Sequence, residues 1–252
     1  MAKLMRAEWY RLRHSSSYFR VFVIFCLCIV AMTFQDINCL SLTINENLPS
    51  IFNSAASGIS MFIGTVTAAA VGSFYSNRTG YYEIMDGNST VSIIMSKVCV
   101  YTLAAFGFYL VPQLILITIM GVKNGAGDTQ NLALLLVLAI IILVHIISTI
   151  VLHSLLFRNK AAAIFPYARF MIFELMGSTL FPILAKQIFS LSDETTDKFA
   201  NLFTWLPAVQ LTMLSGNIDT TFIAKVVISF VVEFAVMFAL VYKSFKRKNF
   251  KN

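Results

Sequence analysis

The chain has 252 residues, of which 58% are hydrophobic and 12% charged, with a formal net charge of +7. A soluble domain carries about twice that charged fraction, so there is too little polar surface here to cover an aqueous core. The apolar runs are continuous rather than short and alternating, which excludes a membrane β-barrel and leaves an all-α, polytopic membrane protein.

The chain opens on a basic amphipathic arm, residues 1–16. Leu4, Met5, Trp9, Tyr10 and Leu12 supply apolar area, and Lys3, Arg6, Arg11 and Arg13 supply charge. That mixture predicts an elbow helix lying in the headgroup plane. The arm runs straight into a span with no small-residue cleavage site, so no cleaved leader is expected. A helix needs about 20 apolar residues to cross the hydrocarbon core. Six stretches qualify, at 18–34, 51–75, 98–120, 131–157, 161–189 and 221–242.

Between the second and third spans lies a polar segment, 77–97, in which Arg78 and Lys97 bracket Glu83 and Asp86 among Tyr81, Tyr82, Ile84 and Met85. A simple connection needs no such pattern, whereas a surface that docks on a soluble partner does. Between the fifth and sixth spans runs 193–220, long for a connection in a compact bundle. Its middle is apolar but too short to span, and Pro207 interrupts it. It reads as a re-entrant or interfacial hairpin with Trp205 in the aromatic belt.

Basic residues set the orientation. The arm, Arg20, the segment 77–97, Arg158 and Lys160, and the tail from Lys243 to Lys251 all fall on one side. The other side has Lys123, Lys186 and Lys198, offset by acids such as Asp36, Glu46, Asp128, Asp193, Glu194 and Asp197. Both termini and 77–97 are therefore expected in the cytoplasm. Anionic lipid accounts for the positive charge, with no call on nucleic acid.

Charges inside spans are costly and face protein or a cavity. Arg169 and Glu174 lie in the fifth span, Lys225 and Glu233 in the sixth. Five residues turn an α-helix through about 140°, so Arg169 and Glu174 are not expected to meet. Arg169 and Glu233 are expected to pair between the two spans, and exchanging their charges should then recover assembly. Lys225 is expected to snorkel outward. His145 reads as a buried hydrogen-bonding residue. His153 is about 80° from it around the same helix, which argues against a metal site there. Cys26 and Cys28 point about 200° apart and do not chelate one ion. No phosphate loop is present, since Gly121–Gly127 lacks the terminal Lys-Ser/Thr. The chain is not expected to be an enzyme or to bind a cofactor.

With its basic arm, six spans, polar inner segment and long outer connection, the chain resembles the permease subunit of ABC transporters of the ABC-2 class. It is similar to the small Firmicute permeases of lantibiotic and bacitracin-type peptide immunity. Members often carry Glu, Gly-Thr, Ser-Arg and Lys through the inner segment. Glu83, Gly87, Ser89, Thr90 and Lys97 echo this, while the usual second basic residue is missing. The resemblance implies that 77–97 is a coupling helix seated on a separate ATPase subunit. Arg78, Tyr81, Tyr82, Glu83, Asp86 and Lys97 would then be its contacts, and ATP and Mg2+ would be bound by that partner. It also implies a second permease chain, identical or homologous, in a bacterial, Gram-positive cell membrane. The implied cargo is an amphipathic antimicrobial peptide, for which Phe203, Trp205 and Leu206 offer a surface. Alternatives are another cargo (ion, lipid or glycan) or a non-transport membrane sensor or scaffold.

Overall fold

The computed structural model describes residues 1–15, 18–21, 23–24, 27–28, 31, 63–76, 83–84, 86–124, 132–157, 164–188, 192–214 and 218–248. No strand occurs among them. In chain order the helices are α1 (Ala2–Arg13), α2 (Gly64–Ser76), α3 (Thr90–Asn124), α4 (Leu132–Phe157) and α5 (Ile164–Pro166). A π-helix (Tyr167–Met176) follows, then α6 (Gly177–Gln187), α7 (Asp193–Phe203), α8 (Pro207–Met213) and α9 (Thr220–Lys248).

Among the described residues three stretches are long and apolar enough to cross a membrane: Thr90–Phe108 in α3, Ala133–Phe157 in α4 and Thr220–Lys246 in α9. These give the chain the character of a helical membrane protein. About half of the expected span at 18–34 falls outside the described residues, and so does the first half of the one at 51–75. The expected fifth span is a continuous helical stretch from Ile164 to Gln187 in three pieces.

The bundle is organised around α4. Leu138, Ala139, Ile142, Leu143, Ile146, Ile147 and Ile150 recur at three- and four-residue intervals and are all buried. That spacing is one helical face, and it packs with residues of α2, α3, α8 and α9 in a single cluster. In α4 61% of the span is buried inside the protein, against 11% in α9, so α4 is the core helix and α9 the peripheral one. Two hydroxyls on α4 are satisfied within the helix, Ser148 donating to the His145 carbonyl (3.0 Å) and Ser154 to that of Ile150 (2.7 Å). This is how a helix carries polar groups where no water reaches them.

Side-chain caps set several helix starts. Ser89 accepts from the Ser92 amide (3.2 Å), Ser192 from Thr195 (3.4 Å) and Asp219 from Phe222 (2.7 Å). Each satisfies an amide that has no partner in the first turn. The Ser89 cap corrects the expected start of the third helix, which begins at Thr90 and not near 98. The turn before it needs Gly87, whose φ of +78° is left-handed. Pro207 does not interrupt a helix but opens α8, where its missing N–H costs nothing.

Candidate functional site

Two ionic clusters stand out, and both are built from charges embedded in apolar helix faces.

The first lies at mid-helix. Glu233 stands about 20 Å along α9 and His145 about 20 Å along α4. Arg169 donates from Nη2 to Glu233 Oε2 (2.8 Å) and from Nε to Glu174 Oε1 (2.9 Å). His145 Nε2 lies 3.1 Å from Glu233 Oε2. The remaining oxygen of Glu174, Oε2, accepts the Ala208 amide of α8 (2.9 Å). Glu174 is completely buried, and the Arg169 side chain is 16% exposed. One guanidinium thus joins α9 to the π-helix, and through Glu174 to the start of α8.

The Arg169–Glu174 contact overturns the sequence expectation, for a geometric reason. Residues 167–176 form a π-helix, in which the repeat is i to i+5. Side chains five apart, well separated around an α-helix, come onto the same side of this wider turn. Arg169 therefore has two carboxylate partners, where the sequence predicted Glu233 alone.

The same network continues to the far end of α9. Gln210, fully buried on α8, donates to the Thr204 carbonyl (3.2 Å) and to Ser229 on α9 (3.2 Å). Lys225 donates to Thr204 Oγ1 (2.9 Å) and stands 5.9 Å from the Trp205 ring centre. It does not simply snorkel, since the α7–α8 turn holds its ammonium. Of the three residues expected to offer a ligand surface, Trp205 is 40% exposed, while Phe203 and Leu206 are half-buried. Phe203 packs against Phe173 and Phe181, ring centres 6.1 Å apart in each case. That packing uses Gly177, where a Cβ would lie 3.2 Å from the Phe203 ring.

The second cluster joins the arm to α3. Leu4, Glu8 and Leu12 form the buried stripe of α1. Glu8 sits in it because Lys97 of α3 donates to its Oε1, both side chains being 1% exposed. Arg11 also reaches Glu8 (3.1 Å), and Glu83 lies 3.8 Å from both Lys97 and Arg11. Two acids and two bases balance, as groups withdrawn from water must. Burial pushes the Glu83 carboxyl above its ordinary value, and Glu8 beside it pushes the same way against the pull of Lys97.

This cluster corrects two of the residues expected to contact a partner. Lys97 is buried inside the first turns of α3, and the Glu83 side chain is 13% exposed and turned toward Lys97 and Arg11. Both are internal struts. Asp86 is exposed at the turn, and Arg78, Tyr81 and Tyr82 lie outside the described residues. Glu8 is a functional-looking residue that sequence reasoning missed, while Glu174 was noted as a charge inside a span but given no partner. Glu8 was detectable as an acid at the centre of the Leu4–Leu12 stripe.

No protein-family model matches the chain, and no curated protein matches it significantly. Helices and charges together define a helical membrane protein with an ion network inside its bundle and a basic arm locked to one of its spans.

Proposed function

We propose that the chain is the permease subunit of an ATP-driven exporter of the ABC-2 class, with six spans and both termini in the cytoplasm. It works with a separate ATPase subunit and a second permease chain in a bacterial, Gram-positive cell membrane. The proposed cargo is an amphipathic antimicrobial peptide. The observation that carries this reading is the Glu8–Lys97–Glu83 cluster. A lever that passes motion from a soluble motor to a membrane helix must be stiff at its root. Here Glu83 of the inner segment is held against both the arm and the start of α3. Exposed Asp86, with Arg78, Tyr81 and Tyr82, then forms the docking face, and Glu83 and Lys97 transmit.

On this reading α7 and α8 form an outer hairpin whose turn is tied to α9 through Lys225 and Gln210, with Trp205 facing the cargo. The first check is whether a phosphate-loop ATPase is encoded beside the gene, and the experiment is co-purification with that ATPase followed by peptide-stimulated ATP hydrolysis in lipid. Asp86→Ala with Tyr82→Ala should weaken association. Glu83→Gln should keep association and lower the stimulated rate. Association unchanged by the first pair, or no ATPase association at all, would overturn the proposal.

A further inference from the structure

Between α1 and α3 runs an apolar slot of about 300 Å³. One wall is Leu103, Gly107 and Val111, with Ala104 and Phe108 beside them, all on a single stripe of α3. The stripe extends about 12 Å along the helix. The other wall is Trp9, Leu12 and Arg13 of α1, followed by Tyr18 and Phe19. A ligand here would lie along the axis of a spanning helix, as a lipid tail does and a bound peptide need not. Gly107 borders open space in the slot: a Cβ there would meet nothing within 4 Å.

Its charge is placed for a headgroup. Arg11, on the opposite side of the arm, is neutralised by Glu8 and Glu83. Arg13 is exposed, lines the slot and makes no ion pair among the described residues. An apolar slot with one free guanidinium on an interfacial helix suits an anionic lipid, because such lipids enrich the cytoplasmic leaflet and are drawn to juxtamembrane basic groups. We infer that the slot between α1 and α3 is a binding site for an anionic glycerophospholipid, its acyl chain along Gly107 and its phosphate on Arg13. The inference rests on the placement of the arm in the inner membrane plane.

The chain has two tryptophans, Trp9 and Trp205, so Trp205→Phe leaves a single reporter lining the slot. This variant is reconstituted in phosphatidylcholine vesicles containing a minor fraction of dibrominated phosphatidylglycerol, or the same fraction of dibrominated phosphatidylcholine. Trp9 quenching should be about twofold greater with the anionic lipid. Arg13→Gln, on an exposed face and outside the packing, should raise the anionic lipid needed for half-maximal quenching about fivefold. Gly107→Leu, which fills the slot, should abolish the excess. Equal quenching by the two lipids overturns the site, as does an excess unchanged in both variants. No quenching by either lipid overturns the membrane-plane placement as well, which separates the two failures.

Discussion

Removing Arg169 alone should be more damaging than removing it together with its two carboxylate partners. Among the described residues Arg169 is the only cation that serves Glu174 and Glu233 together, with contacts of 2.9 and 2.8 Å. Arg169→Met strands two carboxylates, one of them fully buried. Breaking a buried pair by deleting one partner costs about 3–5 kcal/mol. For a chain of this size each kcal/mol moves the melting midpoint by about 2–4 °C, so the loss should fall in the range of about 6–20 °C. The triple neutral variant, Arg169→Met with Glu174→Gln and Glu233→Gln, leaves no stranded charge. An amide at 174 still accepts the Ala208 N–H, and one at 233 still meets His145. Replacing a buried ionic group by neutral residues is commonly close to neutral, so the triple variant should melt within about 4 °C of the parent. The assay is the monodisperse fraction surviving graded heating in detergent. A single variant shifted by less than about 2 °C, or a triple variant as unstable as the single one, would refute the reasoning. The same geometry withdraws the simple charge exchange. A carboxylate at 169 would face Glu174, so Arg169→Glu with Glu233→Arg should not recover assembly.

Further outcomes follow from the arm and its turn. Lys97→Met should loosen α1, seen as faster amide exchange across residues 2–13, because it leaves Glu8 buried without its ammonium partner. Adding Glu8→Leu should restore most of the protection. Glu83 carries a pH signature. Its folded-state carboxyl titrates above the ordinary value of 4.5, so the folded chain holds more protons than the unfolded one just above that pH. The stability it contributes is full below 4.5 and is lost as pH rises toward the raised value. Arm protection, corrected for intrinsic exchange, should fall over that window, and Glu83→Gln should flatten the slope. Gly87→Ala forces a side chain into left-handed backbone and should cost about 1–2 kcal/mol, read as a lower melting midpoint with the same helix content.

Much of the bundle was legible because its determinants are local. The apolar spacing of α4 is visible in the sequence, as are the approximate bounds of the membrane-crossing stretches in α4 and α9. The depth of Arg169 and Glu233 along neighbouring helices was enough to anticipate their meeting. What was not legible depends on backbone that the usual period does not describe. The Arg169–Glu174 pair exists only because residues 167–176 wind as a π-helix, and charge spacing read at 3.6 residues per turn rules it out. The error at Lys97 has another origin. A charge at the end of an apolar run was taken to mark a loop, although Ser89 with the Ser92 amide already offers a helix start eight residues earlier. In a membrane chain a lone charge on an apolar face needs an opposite charge, because its exposure to hydrocarbon costs several kcal/mol. Asking each such residue for its partner pairs Lys97 with Glu8, the one acid on the buried stripe of the arm. The inner segment then reads as braced against the arm from the charges alone.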